Sequence, residues 1–463
     1  MNQGGSSLIT YSRLSEEHRP SLFWVYLVVS VSVMQYYAAN FDVTGTRGIL
    51  EKVYYLIMGT MIISVVAIIN SRKLQDLFLR NLLHSPILIC YSFWFLISQS
   101  LVVWIYGDMG YSDIFRALGY MFASLIAYTL YPAVIGKDGI RGWWTILLII
   151  GTISSVFGIY AGITGREELM GLRIGRQSIY MGIFDMYFTS GPFHESNMFG
   201  LATCLGLIAG LFHAVKARWA INRFIALFLT GICAGGLFFS GSRQIYFGLF
   251  FGFWGWLLTG TSSLKKLFIT LLSIMVIMGM WYITWNNVIV NAIVTPQKGM
   301  SGREFLWPAA ISAMLDRPIT GYGSSDLSME AVFVHGGYEE DIVPVPVHNG
   351  PLDLGVMAGF PAAILYISLF VISFRRLLTS SMELTTKRFF TTVMIVYISA
   401  NMFQAYTIGG ISYGSLVFTI FLGICNMAPM IYGRREYKKR KVHFFSRKDY
   451  SFLNSYKKKM SRV

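Results

Sequence analysis

The chain has 463 residues, of which 54% are hydrophobic and only 13% are charged, whereas a soluble protein carries about 25% charged residues. This composition excludes an ordinary soluble domain. The net charge of +15 would suit nucleic acid, but 12 of the 38 lysines and arginines lie between Gly433 and Val463 and most others lie in short connections between apolar runs. That distribution is a membrane-topology signal and predicts no nucleic-acid partner.

The ends of the chain differ in composition from the rest. The first 20 residues are polar and contain Glu16 and Glu17, which predicts an uncleaved anchor rather than a cleaved signal peptide. We therefore expect a cytoplasmic N-terminus (1–21), a transmembrane domain (22–432) and a basic cytoplasmic tail (433–463) suited to anionic lipid headgroups.

Apolar runs long enough to span a membrane recur along the chain, since a span needs about 20 largely apolar residues. They predict an all-α polytopic membrane protein with about 12 transmembrane helices. The pair 224–240 and 244–259 is separated only by Gly241, Ser242 and Arg243, and predicts a tight helical hairpin. The runs lie near 22–39, 52–69, 85–106, 115–135, 143–163, 196–215, 224–240, 244–259, 267–290, 350–374, 389–408 and 412–432.

Lysine and arginine determine the predicted orientation. With a cytoplasmic N-terminus, every cytoplasmic connection is basic, from Arg72 and Lys73 in the first to Lys387 and Arg388 in the last. The outer connections are poorer in basic residues, as the positive-inside rule requires. Both termini are therefore predicted to be cytoplasmic.

The four cysteines fall inside apolar runs and lack the spacing of a metal site or a disulfide framework. We expect them to be small packing residues, and we predict no metal and no other cofactor. They are Cys90, Cys204, Cys233 and Cys425.

Two outer segments, 164–195 and 291–347, are long, and the second, before helix 10, is the larger. Long connections between spans are usually functional or disordered. The pattern from Ser301 to Glu304 is typical of a capped helix start. The apolar stretch after it predicts a short amphipathic helix at the membrane surface, kinked or restarted at Pro308.

Arg243 lies at the outer edge, between two very apolar runs. It could be an arginine that reaches lipid phosphates. It also suits an anion clamp, because Gly241 and Ser242 allow a close backbone approach and a guanidinium binds phosphate bidentately. Arg303, in the predicted surface helix, is either simply solvated or part of the same site.

Asn197 lies where the first long segment enters a helix that Glu195 or Ser196 could cap. A helix N-terminus that faces a cavity binds anions, so the alternatives are simple capping and substrate binding.

His348 opens a span together with Asn349 and Asp353. A neutral imidazole near pH 7 can take a proton from a sugar hydroxyl, so His348 is the candidate general base. Asp353 either orients the ring or caps the helix.

These residues together resemble the O-antigen ligase and polymerase superfamily. The matching pieces occur in the family's order and on the same predicted face. They are Gly191-Pro-Phe…Asn197-Met-Phe-Gly200, Ser240-Gly-Ser-Arg243, Ser301-Gly-Arg303…Trp307, Arg317-Pro…Gly321-Tyr-Gly323 and His348-Asn349…Gly359.

The resemblance implies metal-independent, inverting glycosyl transfer from a glycan on a polyprenyl diphosphate, at the outer face of a bacterial inner membrane. Arg243 and Arg303 would hold the diphosphate, with Arg173 or Arg176 as further candidates, and His348 would activate the acceptor hydroxyl. A flippase and a chain-length regulator would be the partners. The other predicted substrate-binding residues are Asn197, Asn349, Gly321, Gly323 and Asp353.

The acceptor separates the possible functions. Another lipid-linked repeat unit would make the protein a polysaccharide polymerase, which the 191–200 motif favours, and a lipid A core sugar would make it a ligase. A transporter or flippase of lipid-linked sugars is the rival class. It would require charged residues deep in the spans and pseudo-symmetric halves, and the sequence has neither.

Overall fold

The structure is a computed structural model. It describes residues 72–107, 111–137, 139–169, 172–174, 179–180, 186–193, 195–261, 265, 270, 303–323, 325–337, 346–410 and 412–433. The predicted spans 22–39, 52–69 and 267–290, the N-terminus and the basic tail therefore lie outside the described residues.

The described part of the chain is built almost entirely from helices. Four two-residue strands, paired as two antiparallel hairpins, occupy the 164–195 segment. The elements are α1 (Arg72–Leu83), α2 (Pro86–Leu101, continued by a π-helical turn Val102–Tyr106), α3 (Tyr111–Ile135), α4 (Ile140–Thr164), β1 (Glu168–Leu169), β2 (Leu172–Arg173), β3 (Ile179–Tyr180), β4 (Tyr187–Phe188), α5 (Ser196–Lys216), α6 (Ala220–Ser240), α7 (Arg243–Leu258), α8 (Arg303–Asp316), α9 (Ser325–Gly336), α10 (Gly350–Thr379), α11 (Leu384–Phe403) and α12 (Tyr413–Tyr432).

Within the described residues, six helices are long and apolar enough to cross a membrane, and each coincides with a predicted span. Helices α3, α7 and α11 lie on three further predicted spans. The chain is therefore a multi-pass α-helical membrane protein, while the count of twelve and the orientation stay predictions. The six are Pro86–Tyr106, Ile140–Thr164, Ser196–Lys216, Ala220–Ser240, Gly350–Thr379 and Tyr413–Tyr432.

The core lies around α5 and α12, which are buried along most of their length. Its aromatic centre is Trp144, which stacks on Phe212 at 5.1 Å between centroids and meets Phe390 and Phe421 edge-on. Such stacked and edge-on pairs suit the charge distribution of aromatic rings. By contrast, Cys90 is exposed on α2, so the prediction that all four cysteines pack inside is wrong for this residue.

The predicted hairpin has its tight turn, since α6 ends at Ser240 and α7 begins at Arg243. Nevertheless α7 packs along α11 rather than back on α6. A Cβ on Gly252 would lie 2.9 Å from the Thr392 side chain, and the Thr392 hydroxyl donates to the Gly252 carbonyl at 3.1 Å. Small residues permit such a close approach of membrane helices.

Helix α10 is interrupted in its N-terminal third, where Ala358 and Gly359 leave helical geometry. Gly359 has φ 77° and ψ 172°, a conformation nearly restricted to glycine. The interruption exposes backbone carbonyls, and two side chains of α2 bind them. Trp94 Nε1 donates to the Ala358 oxygen at 3.1 Å and Gln99 Nε2 to the Met357 oxygen at 3.3 Å.

The segment 317–323 also docks into this interruption. Tyr322 N donates to the Val356 oxygen at 2.8 Å and Gly323 N to the Met357 oxygen at 2.9 Å. In return, Phe360 N donates to the Pro318 oxygen at 2.8 Å. The segment and the N-terminal part of α10 therefore form one structural unit, because each satisfies the backbone groups that the other leaves free.

Helix α8 is the short helix predicted here, with one of the two alternatives at Pro308 excluded and with a different distribution of apolar residues. It runs unbroken from Arg303 to Asp316 with Pro308 inside it, so the chain does not restart there. Its exposed face carries Phe305, Ile311 and Leu315, so the helix is apolar on its exposed side as well as its packed side. An apolar exposed face suits lipid contact better than the predicted amphipathic pattern does.

Candidate active site

His348 occupies an unusual backbone position at the start of α10. Its φ of 54° makes it the one non-glycine residue with a positive φ in the described ranges. Next to it, the Asn349 side chain accepts from Leu352 N at 3.1 Å and donates to the Met402 oxygen at 3.2 Å. The cap thus fixes the helix start and ties it to α11. Strained residues held by their surroundings are common at functional sites.

The His348 ring is held by Gln404, a residue just past the end of α11. The His348 Nδ1 and Gln404 Oε1 atoms are 3.1 Å apart, and Gln404 Nε2 donates to Glu195 Oε2 at 2.6 Å. Glu195 stands at the N-cap position of α5, but its side chain makes no capping hydrogen bond. Its carboxylate is used in the site instead.

Asn197 links this group to the α6–α7 turn. Its Nδ2 lies 3.5 Å from Gln404 Oε1, and its Oδ1 accepts from Ser242 Oγ at 2.9 Å. Ser242 immediately precedes Arg243, whose side chain is exposed. The structure therefore brings together the predicted motifs at 191–200, 240–244 and 348–349.

Arg303 joins the site as the first residue of α8. Its guanidinium carbon lies 5.8 Å from the centre of the Phe403 ring. Burial lowers the pKa of Arg303, and the negative charge of Glu195 acts in the opposite direction. Its Nε is buried and has no hydrogen-bond partner within the described part of the chain. A buried guanidinium donor of this kind suits an anionic ligand.

The surroundings of His348 favour the neutral imidazole. Burial is the largest influence and lowers the pKa of His348; Glu195 raises it, Arg303 lowers it and the hydrogen bond with Gln404 raises it, and the net effect is a lowered pKa. The resulting pKa lies below the usual value of about 6.5, so the ring is neutral at pH 7 and able to accept a proton.

Helix α8 is fastened to the segment before His348. Trp307 Nε1 donates to the Val347 oxygen at 3.3 Å, and the Trp307 and Phe403 rings lie 6.0 Å apart. These contacts fix the position of α8, which carries Arg303, relative to His348, although the two are distant in sequence.

Gly321, Gly323 and Asp353 were also predicted to bind substrate. Gly321 and Gly323 support the interruption of α10, where a Cβ on Gly321 would meet the Met357 carbonyl carbon at 2.5 Å. Asp353 was expected to orient the ring or cap the helix, but Gln404 contacts the ring and Asn349 caps the helix.

The placement of the two upstream arginines stays a prediction. Arg173 pairs with Glu168 across the β1–β2 hairpin backbone, and Arg176 lies outside the described residues.

Gln404 is the principal site residue that the sequence analysis missed. The predicted span 389–408 placed it inside a membrane helix, whereas α11 ends at Phe403 and Gln404 is extended, with φ −154° and ψ 151°. The sequence feature that could have revealed Gln404 is the pair of polar residues, Asn401 and Gln404, at the C-terminal end of an apolar run. Glu195 was noticed, but only as a helix cap.

Comparison with known families supports the resemblance found in the motifs. Residues 225–367 match the family model described as O-antigen ligase. The matched segment includes Arg243, Arg303 and His348 but neither Glu195 nor Gln404. A comparison with curated proteins finds no significant match.

Proposed function

We propose that this chain, a member of the O-antigen ligase and polymerase superfamily by its match over residues 225–367, is a polysaccharide polymerase. It joins repeat units carried on polyprenyl diphosphate, at the outer face of the bacterial inner membrane. The observation that carries the proposal is the contact of His348, Glu195 and Asn197 with Gln404, together with Arg303 within electrostatic reach of Glu195 and His348.

His348 is the general base of the proposed reaction. The acceptor hydroxyl oxygen attacks the anomeric carbon of the donor sugar as His348 takes the hydroxyl proton. The bond from that carbon to the diphosphate oxygen breaks, and the polyprenyl diphosphate leaves with the electron pair. A single displacement inverts the configuration at the anomeric carbon. A positioned base of this kind typically accelerates a reaction by about 10²–10⁴-fold.

Arginine side chains stabilise the leaving diphosphate in this proposal. Arg303 has a buried donor without a protein partner among the described residues, and Arg243 stands exposed beside Ser242 of the network. Permanent positive charge placed where negative charge develops lowers the barrier without a metal ion. Arg173 and Arg176 are further candidates for the same diphosphate. A flippase would supply the donor, and a chain-length regulator would limit the product.

The ligase is the second candidate function, because the match to the family described as O-antigen ligase is compatible with either acceptor. In that case the same donor chemistry would transfer the finished glycan to a lipid A core sugar. The two functions differ only in the acceptor.

Reconstitution tests the proposed function. Purified protein in liposomes, given lipid-linked repeat units alone, is expected to form a ladder of polymer without ATP or an ion gradient. Adding lipid A core as the sole acceptor distinguishes the ligase, since a ligase would label the core and leave single units unjoined. Movement of repeat units across the bilayer without any new glycosidic bond would instead identify a transporter.

The pH dependence of polymerisation should report the low pKa of His348. Turnover is expected to be constant near pH 7 and to fall on the acid side with a midpoint below about 6.5, because protonation removes the base. Glu195 and Arg303 are the charged groups that act on the ring. Arg303→Gln should move the midpoint of the residual activity upward, whereas Arg303→Lys, which keeps the charge, should leave it in place. A midpoint above 7 in the unmodified protein would contradict this prediction.

A further inference from the structure

We infer that Gln404 and Glu195 are positioning residues that select the His348 tautomer with a free Nε2. The inference rests on the proposed function of His348 as the base. It starts from the chain of contacts in which Glu195 Oε2, the Gln404 amide and His348 Nδ1 follow one another at 2.6 and 3.1 Å.

The carboxylate fixes the direction of the chain. A carboxylate can only accept hydrogen bonds, so the group of Gln404 that faces Glu195 must be its NH₂. The carbonyl Oε1 of Gln404 then faces His348. The 2.6 Å distance is short for a nitrogen donor, as expected for a bond to a charged acceptor.

Asn197 supports the same orientation from a second side. Because its Oδ1 accepts from Ser242 Oγ at 2.9 Å, its NH₂ group faces Gln404 Oε1 at 3.5 Å. A flipped Gln404 amide would place two NH₂ groups against each other there. It would also leave Glu195 beside a carbonyl oxygen, so both neighbours oppose the flip.

The orientation of Gln404 determines which nitrogen of His348 carries hydrogen. Oε1 has no hydrogen, so Nδ1 must be the donor across the 3.1 Å contact. A neutral imidazole has one N–H group, and its lone pair for accepting a proton is therefore on Nε2. Glu195 thus sets the reactive nitrogen of His348 without contacting the ring directly.

The amide between carboxylate and ring has a chemical advantage. A carboxylate placed directly on Nδ1 would stabilise the imidazolium and keep the ring protonated at higher pH. Gln404 orients the ring through its own hydrogen bond to Nδ1, while the negative charge stays on Glu195, one residue farther from the ring. The ring is oriented but remains neutral, even though it lies within electrostatic reach of both Glu195 and Arg303.

Gln404→Leu tests the role of the amide. The substitution removes the acceptor for Nδ1 and lets the ring populate both tautomers. The expected result in the reconstituted assay is a fall in kcat of roughly 10–100-fold, the size found for partners that orient metal-binding histidines, with the donor KM within about twofold of the unmodified protein. Full activity of Gln404→Leu would overturn the inference.

The exchange variant Glu195→Gln/Gln404→Glu provides the rescue. It keeps the net charge and both hydrogen bonds, but places the carboxylate directly on Nδ1. We expect kcat to recover at least about tenfold over Gln404→Leu, with the acid midpoint raised by roughly one pH unit or more. An exchange variant that is folded but no more active than Gln404→Leu, or one whose midpoint does not rise, would refute the tautomer role.

Gln99→Leu is the matched control. Like Gln404→Leu, it removes a glutamine side chain that makes a hydrogen bond. Gln99, however, donates to the Met357 backbone oxygen and lies outside the network. A merely structural effect of losing a glutamine would appear in both variants as lower thermal stability with an unchanged pH midpoint. If the unmodified protein forms no glycosidic bond, the proposed function fails. If it is active and Gln404→Leu is equally active, only the present inference fails.

Discussion

His348→Ala is expected to abolish polymer formation while the protein still inserts and folds. Without an acceptor for the hydroxyl proton, turnover should fall by at least about 100-fold, the lower end of what a positioned base contributes. The measurement is polymer length and rate in the reconstituted system, together with the yield and melting temperature of the purified variant. Loss of turnover with donor binding retained would place the effect on the chemical step.

Two further variants separate chemistry from folding at this position. His348 has a φ of 54°, a conformation that asparagine adopts more readily than alanine. His348→Asn should therefore keep the backbone yet remain inactive. His335→Ala removes a histidine of α9 whose Nδ1 contacts the Ala331 oxygen at 2.8 Å, and it should retain activity. Normal polymer from both His348 variants would refute the proposed base.

Gly359→Ala is expected to cause a large loss of stability. Its φ of 77° is unfavourable for a residue with a Cβ, and that Cβ would lie 2.1 Å from the Ile319 oxygen and 2.7 Å from the Pro318 oxygen. Both neighbours are backbone atoms and cannot rotate away. Strain and overpacking together should cost about 3–5 kcal/mol. Thermal unfolding of the purified variant in one detergent measures the effect.

Gly337→Ala is the matched control for backbone strain without a clash. Gly337 also has a positive φ, 65°, but a Cβ there would meet nothing within 4 Å. Its substitution should cost only about 1 kcal/mol. Equal melting temperatures for the two variants would show that the contact with 318–319 does not stabilise the protein.

The spans could be predicted because membrane helices are determined by local composition. A stretch of about 20 apolar residues that forms a helix makes all its backbone hydrogen bonds within itself, as lipid requires. The helices at 140–164, 196–216 and 413–432 were accordingly located to within three residues of their predicted ends.

The clustering of outer motifs could also be predicted in part. Polar residues are costly in lipid, so those at span ends were singled out, and two of them, Asn197 and His348, contact the same residue, Gln404, in the structure. Their common partner could not be found in this way. The end of α11 is held by tertiary contacts with α10 and the residue before it, since Tyr366 donates its hydroxyl to Asn401 Oδ1 at 3.1 Å and Asn349 Nδ2 donates to the Met402 oxygen at 3.2 Å. Hydropathy alone extended the helix over Gln404.

The interruption of α10 was missed for a related reason. Gly359 was recognised only as part of a motif, because one glycine in an apolar run does not show that the helix breaks there. The break is stabilised by partners from distant segments: residues 318, 322 and 323 exchange backbone hydrogen bonds with it, and Trp94 and Gln99 of α2 bind its carbonyls. These hydrogen bonds join two segments that are distant in the chain, so the sequence of either segment by itself does not reveal the break.

The docking of 317–323 into α10 sets limits on recombination between related proteins. Because Tyr322, Gly323 and Phe360 exchange backbone hydrogen bonds, an outer loop moved into another protein without its own helix would lose its partners. Chimaeras of such proteins should therefore take their junctions outside 303–360 and transfer the loop and the helix end as one inherited module.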